Sequence, residues 1–142
     1  MRLLLDTHIL VWAVADPGRL IRAVAEAITA PENELWFSPI SAWELALLAE
    51  RDRISLSPDA ERWTEAAVAS LGLREASLNL PVVFESRRLA VPTADPADRF
   101  IAATARVYDC TLVTADAVLR RVRGLPVLYN RGARSHKRAG RS

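Results

Sequence analysis

Short apolar runs that alternate with helix-like stretches constrain the fold of this chain more than any other feature. The first run, Leu3-Leu4-Leu5, is short, continuous and apolar, which is typical of a buried strand. Strands are predicted over residues 3–6, 35–37, 76–80, 111–114 and 126–128. Helices are predicted over residues 7–15, 19–30, 38–51, 58–71, 81–90, 96–109 and 116–123. This alternation predicts a three-layer α/β/α fold around a short, mainly parallel five-stranded sheet.

The 142 residues are expected to form one domain and a tail. This length suits a single domain that buries roughly two-thirds of its unfolded surface. We place the domain at residues 1–130, and residues 131–142 are predicted to be a disordered basic tail, with five basic residues and no acid. Without that tail, 14 basic residues face 17 acidic ones, a charge of −3. The domain therefore lacks the broad basic surface of a dedicated nucleic-acid-binding module.

Cysteine content and hydropathy bear on the compartment. The single cysteine, Cys110, excludes a disulfide within the chain and favours a reducing cytoplasm. The apolar start of the chain is interrupted by Asp6 and His8, which argues against a secretory signal. No run approaches the ~18–20 apolar residues that span a bilayer. We therefore expect a soluble, cytoplasmic protein with no membrane partner.

Four acidic residues lie where predicted strands give way to helices: Asp6, Glu44, Asp98 and Asp116. The carboxyl ends of parallel strands share one edge of a sheet, where ligands bind, so we expect these side chains to converge. Two unit charges ~4 Å apart repel by about 4 kcal/mol at an effective dielectric near ~20. Converging carboxylates therefore favour a hard cation such as Mg²⁺ or Mn²⁺. Such an ion suits phosphate chemistry.

Helix capping is the structural alternative for each acid. The spacing Ser41-x-x-Glu44 matches a capping box, and Asp98 would lie in a first helical turn, where an acid is favourable. Serine, threonine or asparagine would cap equally well, so the repeated choice of a carboxylate favours a shared pocket. The candidate N-caps are Asp6, Asp95 and Asp116.

Four ordered blocks carry a more specific pattern: LLLDT at residues 3–7, SPISAWEL at 38–45, DPADRFIAATA at 95–105 and LVTAD at 112–116. They resemble the PIN-domain nucleases and, more narrowly, the VapC-type toxins of bacterial and archaeal toxin–antitoxin pairs. The resemblance covers about residues 2–129 in the expected order. Four blocks in order are far more specific than any one acid.

The resemblance implies a Mg²⁺- or Mn²⁺-dependent endoribonuclease with an acidic quartet, which leaves a 5′-phosphate and a 3′-hydroxyl. It implies that Asp6 is a central metal ligand and that Glu44 binds or orients metal and water. Asp98 would be the third acid, and Asp116 would close the set, acting through water. The partners implied are an RNA substrate, a cognate antitoxin that inhibits the enzyme, and a second copy of the chain in a homodimer.

Neighbouring polar residues leave alternatives open. Thr7 and Thr114 would either hydrogen-bond the metal shell or a phosphate, or cap helices. Asp95 is expected to cap a helix or support the site rather than to bind the ion. A histidine in a first helical turn, such as His8, is expected to make local hydrogen bonds rather than act in catalysis. Arg99 would contact the RNA backbone or form a salt bridge in the pocket wall.

Tryptophan is abundant for this length. The helical and strand settings of these residues favour core packing, and the alternative is an apolar groove for an antitoxin segment or a second copy. The residues concerned are Trp12, Trp36, Trp43 and Trp63.

Two rival functions remain: another acidic-pocket phosphoesterase, and a non-catalytic interaction protein on the same scaffold. A haloacid-dehalogenase-like phosphatase would need an aspartate where His8 stands, and a receiver domain would need a lysine on a late strand. The only lysine is Lys137, in the tail. An interaction protein would explain the tryptophans but not the acids. With two histidines and one cysteine, no zinc spacing exists.

Overall fold

The computed structural model describes residues 1–132 and contains one five-stranded sheet. The predicted basic tail lies outside the described residues, apart from Arg131 and Gly132. All four strand pairings are parallel, and the strand order is β3-β2-β1-β4-β5. The strands are β1 (Arg2–Leu5), β2 (Glu34–Phe37), β3 (Arg74–Glu75), β4 (Thr111–Thr114) and β5 (Val127–Tyr129).

Seven α-helices connect and cover the strands of the described chain, and a 3₁₀ turn at Pro17–Arg19 follows the first helix. The helices are α1 (Thr7–Ala15), α2 (Arg22–Thr29), α3 (Pro39–Glu50), α4 (Ala60–Leu71), α5 (Leu80–Arg88), α6 (Pro96–Val107) and α7 (Ala117–Arg120).

Hydrophobic cores lie on both faces of the sheet, because successive strand residues point to opposite sides. In β1, Leu3 and Leu5 join one core, which includes residues of α1 to α4, and Leu4 joins the other, which includes residues of α6 and α7. In β4, Val113 and Leu112 divide in the same way. Burial on both faces explains why consecutive residues of these strands, Leu3 to Leu5 and Leu112 to Val113, are apolar. The predicted three-layer α/β/α fold is confirmed.

Three predicted elements were wrong in position or length. Residues 76–80 are not a strand: β3 ends at Glu75, and α5 begins at Leu80 because the Asn79 side chain accepts a hydrogen bond from the Val82 N–H, 3.1 Å away. The helix predicted over 116–123 ends at Arg120. Beyond it, the N–H groups of Arg121 and Val122 donate to carbonyls three residues earlier instead of four.

The helix predicted over 19–30 begins only at Arg22. The buried Asn130 side chain explains the late start. Its oxygen accepts from the Ile21 N–H at 2.7 Å, and its nitrogen donates to the Arg19 carbonyl at 3.1 Å, so both backbone groups are held away from a helix.

The chain order places a crevice beside the first strand. From β1 the chain adds β2 and β3 on one side, then crosses to add β4 and β5 on the other. The order in which the chain adds strands to the sheet therefore reverses between β1 and β4. In open parallel sheets, ligands bind at such a point, outside the carboxyl ends of the strands. Across residues 1–132, no helix is long and apolar enough to cross a membrane.

Candidate metal centre

A cavity of about 150 Å³ lies at the carboxyl ends of β1 and β4. The four acids predicted from the sequence come from four different elements or their N-caps, and all four line this cavity. Their assignment as metal ligands stays a prediction. The lining residues are Asp6, Thr7, His8, Glu44, Asp95, Asp98, Ala115 and Asp116.

Asp6 joins the end of β1 to the start of α1. Its Oδ1 accepts a hydrogen bond from the Thr7 N–H at 2.8 Å, so the predicted N-cap is confirmed. Its Oδ2 accepts from the Thr114 hydroxyl at 2.6 Å. Capping and cavity lining are therefore compatible, because each carboxylate oxygen uses one lone pair for the fold and keeps capacity for another contact.

Asp116 and Thr114 form a hydrogen-bonded turn at the end of β4. Asp116 caps α7, accepting from the Val118 N–H at 2.7 Å, as predicted. The Asp116 N–H donates to the Thr114 hydroxyl oxygen at 3.0 Å. Thr114 is fully buried and does not line the cavity itself, but its hydroxyl proton is directed to Asp6. Thr114 thus links two of the acids.

Glu44 lies inside α3, and the capping-box interpretation was wrong. The helix begins at Pro39, and its N-cap is Ser38, whose side chain accepts from the Ile40 N–H at 3.0 Å. The Glu44 carboxylate instead accepts a hydrogen bond from the Thr7 hydroxyl of α1. Ser41, one turn earlier, places its hydroxyl oxygen 3.0 Å from that of Thr7.

Asp95 and Asp98 divide their tasks at the start of α6. Asp95 is exposed and caps the helix, accepting from the Ala97 N–H at 3.0 Å, as predicted. Asp98 is half-buried in the first turn, also as predicted, and caps nothing. Capping therefore accounts for Asp95 but leaves Asp98 without a structural role of that kind.

Burial in the cavity raises the pKa values of Asp6, Glu44 and Asp98. Burial raises the pKa of Glu44 to about 7, and the Thr7 hydrogen bond opposes the rise. Burial also raises the pKa of Asp98 to about 7, and the charges of Asp116 and Asp6 add to the effect. For Asp6, burial raises the pKa above its usual value, while bonds from Thr114 and Thr7 act against it. The protein alone therefore tolerates this concentration of negative charge poorly.

The residues fit a hard divalent ion in donor chemistry. Every candidate ligand is an oxygen atom, which suits Mg²⁺ and Mn²⁺. Within residues 1–132, no three carboxylate, histidine or cysteine side chains converge closely enough to hold an ion as they stand. Mg²⁺ keeps several waters and needs only one or two carboxylates from the protein. The arrangement therefore suits an ion held by few side chains and by water.

Arg99 serves the fold: within residues 1–132 it forms no ion pair, so the salt-bridge interpretation was wrong, and contact with the RNA backbone stays a prediction. Its guanidinium donates to the Ser86 carbonyl at 2.9 Å and to the Leu89 carbonyl at 3.2 Å, with a longer bond to Val91. These groups lie at and beyond the end of α5, whose last carbonyls have no partner within the helix. Arg99 therefore caps α5 from α6.

The tryptophans divide between core and surface. Trp12 is buried, and Trp36 and Trp63 are partly buried against the two cores, as predicted. Trp43, next to Glu44, is 56% exposed, so core packing was wrong for this residue. His8 is exposed, and its ring lies 5.9 Å from that of Trp12.

Ser41 is the residue near the site that sequence reasoning missed. It was interpreted as half of a capping box, but its hydroxyl contacts that of Thr7, which lines the cavity. The available signal was its spacing: residues three apart in a helix lie on the same face, so Ser41 and Glu44 had to point in similar directions.

A larger surface depression, about 420 Å³, lies beyond the end of α3 between Ala49 and Leu56. Its ionisable lining residues are one acid and one base, Asp52 and Arg53, so it gathers no cluster of carboxylates. We therefore assign the chemistry to the smaller acidic cavity.

Comparison with known proteins agrees with this fold. The family described as PIN domain matches residues 3–125. A curated relative, Ribonuclease VapC22 of Mycobacterium tuberculosis, is 37% identical over 120 residues, which are 82% of this chain and 88% of that protein.

Solved structures with a similar fold include VapBC2 from Rickettsia felis bound to a promoter DNA fragment, with a TM-score of 0.67 and 20% identity. DNA-bound VapBC from Salmonella typhimurium gives a TM-score of 0.64 and 18% identity. Each match covers 91% of this chain and 98% of the other. The family match covers most of this chain, and the curated relative is a VapC protein. The chain therefore belongs to the PIN-domain family, as a VapC-type member.

Proposed function

We propose that this protein is a divalent-metal-dependent endoribonuclease and the toxin of a toxin–antitoxin pair. The observation that carries the proposal is the acidic cavity: four carboxylates from separate elements line one space at the reversal point of a parallel sheet. The relative from M. tuberculosis, which is named a ribonuclease, supports RNA as the substrate. Residues 1–130 would form the nuclease domain, working in the cytoplasm where RNA is available.

Asp6, Glu44, Asp98 and Asp116 would hold Mg²⁺ or Mn²⁺. When bound, such an ion would polarise a phosphate oxygen, make water more acidic and screen the charge that develops during displacement. The raised pKa values of Glu44 and Asp98 support this assignment, because an ion would relieve the repulsion that contributes to them.

The residues of the chain would orient the reaction. Hydrogen bonds from the Thr7 N–H and the Thr114 hydroxyl fix both oxygens of Asp6, so this carboxylate would keep one direction through the catalytic cycle. Thr7 engages Oε1 of Glu44, which leaves Oε2 to accept a proton from the attacking water. Attack on the phosphodiester would then release a 3′-hydroxyl and leave a 5′-phosphate.

The proposed protein partners are a cognate antitoxin and a second copy of the chain. The solved relatives are VapBC toxin–antitoxin structures, which supports an antitoxin. Large apolar side chains at the surface also favour contacts with proteins. The most exposed of them in α3 and α5 are Trp43, Leu80 and Phe84.

The test is RNA cleavage by protein purified free of any antitoxin. A synthetic single-stranded RNA pool of randomised sequence would be incubated with Mg²⁺, with Mn²⁺ or with EDTA. We expect cleavage in either metal, none in EDTA, and products whose 5′ ends accept a label only after phosphatase treatment. No cleavage in either metal would favour the alternative, a non-catalytic interaction protein on the PIN scaffold. Cleavage that persists in EDTA would contradict the role of the ion.

A further inference from the structure

Two buried hydroxyl groups lie in series behind Glu44. Thr7, the first residue of α1, is 2% exposed, and Ser41, inside α3, is fully buried. The Thr7 hydroxyl is hydrogen-bonded to the Glu44 carboxylate and lies 3.0 Å from the Ser41 hydroxyl. The three side chains therefore form a chain of hydrogen bonds between two helices that border the cavity.

The number of hydroxyl protons determines which group donates in each of these hydrogen bonds. A hydroxyl group has one proton to donate and two lone pairs that accept. When Glu44 is ionised it can only accept, so the Thr7 proton goes to Glu44. The Thr7 oxygen must then accept a hydrogen bond from the Ser41 hydroxyl through one of its lone pairs. A hydroxyl that both accepts and donates is held in one rotamer, which in turn fixes the carboxylate.

Ser41 differs from the other buried hydroxyls within helices. Thr64, Ser86 and Thr104 donate to carbonyls of their own helices, at 2.7, 2.6 and 2.6 Å. Those bonds stay local and connect no two elements. Ser41 instead contacts the side chain of Thr7 in another helix, and the N-cap of its own helix is Ser38. Helix capping and local bonding therefore do not explain it.

We propose that Ser41 is a positioning residue for RNA cleavage: its hydroxyl orients Thr7, and Thr7 holds Glu44 in the direction that serves the cavity. The inference rests on the proposed function, since it assumes that Glu44 takes part in metal-dependent cleavage. It adds Ser41 to the machinery, as a residue that acts through Thr7 and needs no contact with the ion or the RNA.

The central variant is Ser41→Ala, with Ser86→Ala as the matched control. Both serines are buried in helices, but only Ser41 faces a cavity residue. Alanine is the better helix former, which offsets part of the lost hydrogen bond, so the thermal midpoint should change little, as in Ser86→Ala. Loss of a supporting hydrogen bond at a metal site costs 10–100-fold, and we expect kcat to fall about tenfold with KM unchanged.

Thr7 supplies a conservative rescue. Thr7→Val removes the hydroxyl and keeps the shape, and we expect kcat to fall by about 10–100-fold. Thr7→Ser keeps the hydroxyl and should restore most of the activity. Calorimetric titration of the RNA-free variants with Mn²⁺ gives a readout apart from cleavage: Ser41→Ala and Thr7→Val should bind Mn²⁺ more weakly, by up to about tenfold. Kinetics would use one RNA oligonucleotide that the wild type cuts.

The outcomes separate the inference from the proposed function. If the wild type cuts RNA and binds Mn²⁺ while Ser41→Ala matches it in kcat and in affinity, the inference is overturned and the function stands. If Ser41→Ala loses activity only in proportion to a fall in thermal midpoint, the hydroxyl is structural and the inference is again overturned. If the wild type neither cleaves RNA nor binds Mn²⁺, both fall together.

Discussion

The two edges of the sheet handle negative charge in opposite ways. At the amino edge, Glu34 of β2 is paired with Arg2 of β1 at 3.6 Å and with Arg74 of β3 at 3.8 Å. Both guanidinium groups also lie over the Trp36 ring. At the carboxyl edge, Asp6, Glu44 and Asp116 receive hydrogen bonds from neutral donors. Within residues 1–132, no arginine forms an ion pair with Asp6, Glu44 or Asp98.

The difference shows what each edge is built for. A guanidinium partner neutralises a carboxylate and completes the structure. A hydroxyl or backbone N–H orients a carboxylate and leaves most of its charge in place, so the cavity keeps an attraction for a cation. Burial, with a contribution from the neighbouring acids, raises the pKa values of Glu44 and Asp98 to about 7, as expected for carboxyl groups without a basic partner. We interpret the amino edge as structural and the carboxyl edge as functional.

The largest expected effect separates the two edges by activity. Asp6→Asn keeps an acceptor for the Thr7 N–H but removes the charge that attracts the ion. An ion supplies several kcal/mol of charge stabilisation, so cleavage in Mn²⁺ should fall by about three orders of magnitude. Glu34→Gln, the matched change at the amino edge, should keep wild-type kcat. Equal losses in the two variants, measured on one RNA oligonucleotide, would break the contrast.

Arg99 sharpens the comparison because it lies near the cavity yet bonds only backbone carbonyls among the contacts described. Arg99→Met leaves the end of α5 uncapped, and hydrogen bonds from a charged group are worth about 1.5–3 kcal/mol each. We expect the free energy of unfolding to drop by about 2–3 kcal/mol in urea titrations. An unchanged stability would mean that the guanidinium is available to the cavity after all.

Acidity provides the next effect. The pKa values of Glu44 and Asp98 rise from 4.5 and 3.8 to about 7. In the window between the lower and the higher values, the folded, metal-free protein therefore binds more protons than the unfolded chain. Stability should therefore fall as the pH rises through it. We expect the thermal midpoint in EDTA to be lower near ~pH 8 than near ~pH 5, and saturating Mn²⁺ to offset the loss.

The double variant Glu44→Gln, Asp98→Asn is the control for that slope. It removes both titrations, so its midpoint in EDTA should vary less with pH than that of the wild type. A slope as steep as the wild type's would place the titrating groups elsewhere in the protein.

The smallest effect concerns the amino edge alone. Glu34 and both arginines are partly exposed, and exposed ion pairs contribute about 0–1 kcal/mol. Glu34→Gln should therefore reduce the free energy of unfolding by less than about 1 kcal/mol. The loss should shrink further in high salt, measured by urea titration at two ionic strengths. A larger loss, insensitive to salt, would show that this edge depends on more than surface pairing.

The sequence was most informative where one physical rule acted alone. Leu3 to Leu5 and the central residues of β4, Leu112 and Val113, are buried on both faces of the sheet, so these short apolar segments predicted strands correctly. The meeting of Asp6 and Asp116 followed from parallel strands sharing one edge, and the structure places both on one cavity.

Sequence reasoning failed where the decisive contact came from another element. Nothing local to Arg99 indicates that the end of α5 lies beside it. The role of Asn130 in delaying α2 depends on a contact over more than a hundred positions. Ser41 matched a capping motif inside a helix that was itself predicted from residue 38, and only its contact with Thr7 of α1 reveals its role. The exposure of Trp43 likewise depends on which face of α3 packs against its neighbours.

The most direct test of the central claim is anomalous X-ray diffraction from crystals equilibrated with Mn²⁺ at a concentration that supports RNA cleavage. We expect an anomalous peak in the acidic cavity within bonding distance of the Asp6 carboxylate, and its loss in Asp6→Asn crystals. An empty cavity in crystals of protein that cleaves RNA, or a peak that persists in the variant, would contradict a catalytic ion held at the carboxyl edge of the sheet.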